Sequence, residues 1–262
     1  MDLIYFLTVI ILAGGFLLLY MYRQAFGDRV LKQELSFKEF PESFGSVTIF
    51  FISDIHKRSI SDSVIDEAKG IADLVIIGGD LAEKGVELDR VSANIDKLKT
   101  IAPVFFVWGN NDYEFNQHEL DSLLFHSGVK MLDNTAVKFE SAAGDTLKVL
   151  GIDDLSLGKS RLDLAIQDAG EGGFKILVSH NPAIASNLTS DHQISLVLSG
   201  HTHGGQIRIF GYGPYELGGV KMKNGTVVLT SNGYGTTTVP LRLGAKSETH
   251  LITLLPDAET SV

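Results

Sequence analysis

The sequence predicts an α/β domain preceded by one membrane-spanning helix. Three observations carry that expectation. Short apolar runs recur along the chain and stop at Asp, His or Gly; segments of helical spacing lie between them; and residues 3–22 contain no charged side chain. Continuous apolar runs, rather than alternating ones, suit strands covered on both faces. Strands that alternate with helices imply βαβ units.

Taken in order, residues 1–22 are the anchor. As a helix the uncharged stretch extends about 30 Å, the thickness of a bilayer's hydrocarbon core. Tyr5, Tyr20 and Tyr22 lie near its ends, where amphipathic aromatics favour the interface. A cleaved signal peptide that releases a secreted protein is the competing reading. Against it, no Lys or Arg precedes the run, the run is long, and no small-x-small cleavage site follows. Arg23, Arg29 and Lys32 follow the helix and only Asp2 and the α-amino group precede it, which favours a single-pass protein of the cell membrane with a cytoplasmic C-terminal domain.

Residues 23–44 mix charges with Phe37, Phe40 and Phe44 and read as a juxtamembrane connector; residues 45–262 form the domain, with 257–262 a frayed polar tail. Strands are expected at 47–53, 74–78, 104–108, 147–151, 175–179, 195–199 and 226–230. Helical spacing covers 61–70, 88–98 and 117–125, the first with Ser61 or Asp62 as its cap.

A net charge of −10 argues against binding to a nucleic-acid duplex, which needs clustered Lys and Arg to neutralise phosphates. With no cysteine, disulfides, thiolate zinc sites and a Cys nucleophile are excluded. Nothing in the composition indicates an oligomeric state.

Five polar clusters close the apolar runs: Asp54-Ile55-His56, Gly79-Asp80, Gly109-Asn110-Asn111-Asp112, Ser179-His180-Asn181 and Gly200-His201-Thr202-His203. In an open α/β sheet, ligands bind beyond the carboxyl ends of the strands, so residues distant in sequence converge there. Asp54 and His56, and likewise His201 and His203, are two apart, so extended backbone turns each pair to one side. Gly78 and Gly79 allow close approach of the backbone beside Asp80. Imidazole, carboxylate and amide oxygen together suit Mn, Fe, Zn or Ni, and match calcium poorly.

The series D-x-H, G-D, G-N-[HN]-D, H and G-H-x-H resembles that of the calcineurin-like metallophosphoesterases, from about Thr48 to at least Gln206. The anchor and the run Gly200–Gln206 resemble the membrane-associated YkuE- and YaeI-like phosphoesterases. The resemblance implies a sandwich of two central mixed sheets flanked by helices. It also implies two divalent metal ions, manganese foremost in vitro. One ion would be held by Asp54, His56, Asp80 and His203, the other by Asp80, Asn110, His180 and His201. Asp80 and a hydroxide would bridge them, and that hydroxide would attack a phosphomonoester, phosphodiester or pyrophosphate bond. No protein nucleophile is required, since Ser53, Ser179 and Ser199 have no paired base.

The chain departs from the family at Asn111, where a His usually helps protonate the leaving group and the next acidic residue, here Asp112, helps orient it. An amide donates a hydrogen bond but cannot deliver a proton. Three accounts fit: a leaving group good enough to need no acid, another His such as His118 or His126 reaching the site, or weak activity in a membrane-tethered metal-binding scaffold. An anchored hydrolase is the leading expectation, with a lipid-linked or nucleotide phosphate as substrate.

Other features carry less. His118, His126, His192 and His250 match no motif and read as surface or helix-cap residues. Asp153 and Asp154 read equally well as support for the site or as plain loop. Gln206 is a candidate substrate contact, 211–219 a candidate aromatic lid, 233–238 a rim loop, and Trp108 core.

Overall fold

The computed structural model describes residues 2–257; residues 258–262 of the expected polar tail lie outside the described residues. Helix α1 (Asp2–Ala25) spans about 36 Å at 1.5 Å per residue. It is long and apolar enough to cross a membrane, and its side chains from Leu3 to Tyr20 are exposed. Its last turn docks on the domain. Arg242 N donates to Met21 O at 3.0 Å, and the Arg58 guanidinium donates to Ala25 O (3.3 Å) and to Phe26 O (2.9 Å). Arg58 also pairs with Asp28 at 2.6 Å and lies 3.7 Å over the Tyr234 ring. A helix leaves its final carbonyls without intrahelical donors, and a cation there also suits the helix dipole.

Two six-stranded sheets follow. The first has the order β1 (Val30–Phe37), β12 (Thr249–Pro256), β2 (Val47–Ile52), β3 (Leu74–Ile77), β4 (Val104–Phe106) and β5 (Lys130–Met131). Strands β2 to β5 are parallel, β12 runs against β2, and β1 runs parallel to β12. The second has the order β10 (Gly219–Lys223), β11 (Thr226–Thr230), β9 (Leu196–Ser199), β8 (Phe174–Val178), β7 (Thr146–Gly151) and β6 (Thr135–Glu140). Here β10 and β6 are antiparallel edges on a parallel centre.

The two-residue period of a strand divides the core. From β2, Ile49 and Phe51 face the second sheet and meet Val149, Phe174, Ile176 and Leu198. Phe50 and Ile52 face outward onto α2 (Asp62–Ala68), α3 (Leu88–Lys99) and α4 (Gln117–His126), through Ile65, Ile95, Leu98, Leu120 and Leu124. On the far side Leu150, Leu177 and Val197 pack on Ala165 of α5 (Leu162–Ala169). Strands buried on both faces are why the sequence showed continuous apolar runs. Each of the seven expected strands and three expected helices is present, and Ser61 caps α2 by accepting from Ser63 N.

The segment read as a connector at 23–44 is different: Val30–Phe37 is an edge strand in register with β12 from Val30 opposite Thr249 to Phe37 opposite Pro256. Its alternating burial keeps Lys32 and Glu34 on the solvated side of the strand, so charge content disguised it. Strands β5, β6, β10 and β12 and helix α5 were also unmarked in the sequence.

His250, expected at the surface, is fully buried between Gln33 Oε1 and Ser231 Oγ, each 3.0 Å from a ring nitrogen. Burial, then the Arg29 charge, push it down to about 3, although Glu248 Oε1 stands 3.7 Å away. The unfolded chain binds a proton below about 6.5 that the native site refuses, so stability falls as pH drops from there. From pH 7 to pH 5 this one group should remove about 2 kcal/mol. Thermal unfolding of the full chain in detergent at the two pH values checks it, with His250→Gln expected to flatten the slope. An unchanged slope would refute the assignment.

Candidate metal centre

The loops after β2, β3, β4, β8 and β9 bring the five clusters to one end of the sandwich. Asp54, His56, Asp80, His180 and His203 are buried there; Asn110, Asn111 and His201 are half-buried. The backbone is strained to present them. Eleven non-glycine residues have left-handed φ among the described residues, and five are Asp54, His56, Asp80, His201 and His203. Such conformations cost about 1–3 kcal/mol each and collect where side chains must be aimed. Close approach also demands glycine: a Cβ on Gly79, itself at φ +86°, would stand 2.6 Å from His180 Nδ1.

Two sets of donor atoms lie within 4.8 Å of one another and could each hold a cation: Asp54, His56 and His203, and Asp54, Asp80 and His180. The sets share Asp54, whereas the resemblance implies Asp80 as the shared ligand. Asp80 nevertheless reaches both, since its Oδ2 is 3.2 Å from His180 Nε2 and 3.7 Å from His56 Nε2. His56 Nε2 and His203 Nε2 face each other at 3.1 Å, and His203 Nε2 is 3.3 Å from Asp54 Oδ1. The His201 ring centre lies 5.0 Å from that of His180. Asn110 Oδ1 is buried with no hydrogen-bond partner among the described residues. A buried amide oxygen without a donor, on a residue that lines the cleft, fits a cation's requirements.

The carboxylates are anionic and His203 is neutral, while against burial the carboxylates raise His180 to about 10. Burial raises both carboxyls, yet His203 and His180 outweigh it at Asp54, and His180 does so at Asp80, so both sit below the usual carboxylate range. Burial, reinforced by His56 and Arg242 against the pull of Asp54, takes His203 down to about 3, which leaves its imidazole neutral with a lone pair to offer.

Two supporting residues escaped the sequence reading. Glu83 Oε2 lies 2.9 Å from His56 Nδ1, and its other oxygen pairs with Lys57 at 2.7 Å. Burial alone would hold His56 down; Glu83, with Asp80 and Asp54, outweighs it and raises it. Spacing could have found this residue, three positions after Asp80. Arg242 is fully buried, 3.1 Å from His203 Nδ1, and donates to the carbonyls of Asn232, Gly233 and Gly235. No local signal marks it.

Asn111 lines a cleft of about 310 Å³ with His56, Asp80, Asn110 and His201. Asp112 faces away from that cleft: its carboxylate accepts from Asp80 N (2.8 Å), Ala82 N (2.9 Å) and Gly109 N (2.9 Å). Burial, then repulsion from Asp80, push it up to about 7. His118 and His126 are exposed on α4 and neither lines the cleft. His192 is a cap, with Nδ1 accepting from Thr189 N at 3.0 Å. Asp153 accepts from Tyr113 Oη at 2.7 Å, and Asp154 Oδ1 accepts from Leu157 N at 2.9 Å. The Gln206 carboxamide is committed to Thr237 and Val239, so it braces the rim loop. Trp108 is core, 5.2 Å from Phe106.

A family model for calcineurin-like phosphoesterases matches residues 47–205. The chain belongs to that family. It is a metal-dependent phosphoric ester hydrolase by that membership. This phosphoesterase is 50% identical over 210 residues to "Uncharacterized protein YpbG" of Bacillus subtilis (strain 168), covering 79% of this chain and 81% of that one. It is 29% identical to "Uncharacterized metallophosphoesterase YkuE" of the same organism, covering 82% and 81%. It is 30% identical to "Transmembrane protein with metallophosphoesterase domain" of Danio rerio, covering 84% of this chain and 56% of that one. Among solved structures, the sulfate thiohydrolase SoxB of Thermus thermophilus aligns with a TM-score of 0.53 at 16% identity, over 80% of this chain and 57% of SoxB. The NAD nucleotidase NadN of Haemophilus influenzae aligns with a TM-score of 0.52 at 15% identity, over 72% and 46%. Those two likenesses concern the fold, and the phosphoesterase spans about half of each solved chain.

Carboxylates that orient metal-ligating imidazoles are typically worth 10–100-fold in metal affinity. Glu83→Gln should therefore weaken Mn²⁺ binding by about that factor. Calorimetric titration measures it, and an unchanged affinity would remove Glu83 from the support of His56.

Proposed function

We propose that this phosphoesterase is anchored in the membrane by α1 and holds two divalent cations, one on Asp54, His56, Asp80 and His203 and one on Asp80, Asn110, His180 and His201. The observation that carries the reading is the convergence of five strand ends on one cluster of carboxylates and imidazoles, beside the partnerless Asn110 Oδ1. Two such cations supply Lewis acidity at a phosphoryl oxygen and lower the pKa of water to near neutrality. The chain's own contribution is placement. Glu83 and Arg242 fix His56 and His203, and Asp112 fastens the loops of Asp80 and Asn110 to each other. Asn111 offers its amide to a phosphoryl oxygen from the cleft wall. Two divalent cations exceed the charge of Asp54 and Asp80, so the centre attracts an anion within an acidic protein.

The bonds it cleaves are phosphomonoester, phosphodiester or pyrophosphate bonds with leaving groups good enough to need no proton donor, because neither Asn111 nor Asp112 supplies one. Full-length protein in detergent, stripped with chelator and reloaded with Mn²⁺, should hydrolyse activated aryl phosphates and lose that activity again on chelation. Two bound Mn²⁺ per chain without turnover of any ester in a panel of nucleotides, cyclic nucleotides and phospholipids would leave only the scaffold reading. Arg23, Arg29 and Lys32 favour a cytoplasmic domain. Protease added outside intact cells should then leave the domain uncut.

A further inference from the structure

The sheet order fixes which end of the domain meets the anchor. The residues of the metal centre follow the carboxyl ends of β2, β3 and β4. Strand β12 runs against β2 and β1 runs parallel to β12, so both begin at that same end. Only residues 26–29 separate α1 from β1, so the apolar helix leaves the domain from the metal face.

Beside the helix stands an apolar projection with no covering. The hydrogen-bond links are continuous: Gly244 N donates to the Gln24 side-chain Oε1 at 3.2 Å, Arg242 N to Met21 O at 3.0 Å, and Arg208 N to Leu243 O at 2.7 Å. From Arg208 the chain enters a tight turn in which Ile209 and Tyr212 exchange backbone hydrogen bonds of 2.9 Å. Phe210 and Gly211 hold the left-handed φ values of 51° and 84° that such a turn requires. Phe210 is 96% exposed, Tyr212 84% and Ile209 62%; Val239, on the neighbouring rim, is 42% exposed. The turn is braced, because the Arg208 guanidinium donates to Gly204 O (2.8 Å), Gly211 O (2.6 Å) and Tyr215 O. Phe210 is thereby held outward at the tip. Apolar groups displayed together in this way mark a contact surface, and Phe, Ile and Tyr are residues that enter the interfacial layer of a bilayer.

We propose that the turn 209–212, with Val239, inserts into the same bilayer that α1 spans and holds the metal face of the domain against the membrane. The proposal rests on the anchoring by α1 proposed above. The occupant is lipid because the projection adjoins the one helix, among the described residues, built to cross a membrane. The cleft walls Gln206, Pro214, Tyr215, Thr237 and Thr238 lie in the same loops as the wedge. An ester presented at the level of the lipid headgroups therefore enters beside it, and of the segment 211–219 expected to be a lid, Gly211 and Tyr212 belong to the membrane contact while Pro214 and Tyr215 line the cleft.

Tryptophan fluorescence in the full chain tests this. Phe210→Trp, Leu12→Trp and Phe125→Trp are reconstituted separately into phosphatidylcholine vesicles whose acyl chains carry bromine both near the headgroup and near the chain ends, with the emission of the buried Trp108 subtracted by means of the unmodified chain. Phe125 is 71% exposed near the end of α4, which returns the chain to β5 at the opposite end of the sheet. Phe210→Trp should lose most of its emission, Leu12→Trp should be quenched too, and Phe125→Trp should not. Unquenched Phe210→Trp beside quenched Leu12→Trp would overturn the wedge and leave the anchor standing. Loss of quenching at both would take the anchor with it. A blue shift at Phe210→Trp without quenching would mean that a second copy of the chain covers the turn, and equal quenching at Phe125→Trp would mean an unoriented domain; either result overturns the proposal.

Discussion

Asparagine in place of Asp80 should lower kcat about 10³-fold or more while leaving the fold intact. The substitution changes one atom and one charge. Asp80 holds a left-handed φ of 52°, a conformation that Asn adopts more readily than most residues, so the backbone has no reason to move. Its main-chain N–H would still donate to Asp112, and the amide oxygen could still accept from Asn111 N as Asp80 Oδ1 does at 2.8 Å. What disappears is the anionic Oδ2 between His180 and His56. Of the two carboxylates in the donor sets only Asp54 would remain, and two dications would then repel each other with half the compensating charge. Metal polarisation of a phosphoryl oxygen is worth several kcal/mol, and at 1.36 kcal/mol per decade its loss reaches that factor. Metal content and kcat with an activated aryl phosphate decide the matter together. Two Mn²⁺ retained and a rate within tenfold of the parent would sink Asp80 as the shared ligand. Relief of Asp112 is a second signature, since Asp80 is part of what raises it to about 7.

The sequence showed the interior of both sheets and the convergence at their ends for the same physical reason. A strand covered on two faces is apolar at nearly every position, and a polar cluster that ends the run lies in the loop beyond it. Edge strands escape that logic. In β1, Lys32 and Glu34 alternate with Leu31 and Leu35 because one side meets water, and β10, exposed along most of its length, carries Lys221 and Lys223. The partner of β1 lies some two hundred residues away in β12, beyond any local window. The site divides likewise. Asp54, His56, Asp80, Asn110, His180, His201 and His203 were legible from spacing alone as one constellation. Arg242 was not, because it binds five carbonyls, including His203 O and Ala245 O, that only the tertiary fold assembles. The position of Asp112 was legible but its role was not, since its reading as an orienting acid assumed a histidine beside it. Without one, the carboxylate serves three amides and joins the β3 and β4 loops.

That reassignment sets the size of the effect expected from Asn111→His. A positioned general acid is typically worth ~10²–10⁴ in rate. The upper part of that range needs a carboxylate to orient the imidazole, and Asp112 is committed to Asp80 N, Ala82 N and Gly109 N. The new histidine would also give up the side-chain hydrogen bond that Asn111 accepts from Asn110 Nδ2, at about 1 kcal/mol, and so loosen a proposed ligand. The gain should therefore sit near the lower end, ~10²-fold, and only for alkyl phosphates, whose leaving oxygen must be protonated as it departs. Aryl phosphates with acidic leaving groups should change little. The new activity should also fall as pH rises through the imidazole's range near 6.5, because an acid catalyst must carry its proton, whereas the parent rate should show no such limb. Hydrolysis of matched alkyl and aryl esters from pH 5 to pH 9 separates the possibilities. Equal gains on both classes, or an alkyl gain that persists at high pH, would mean that histidine acts by binding substrate or metal, and the missing proton donor would no longer explain what the chain prefers to cleave.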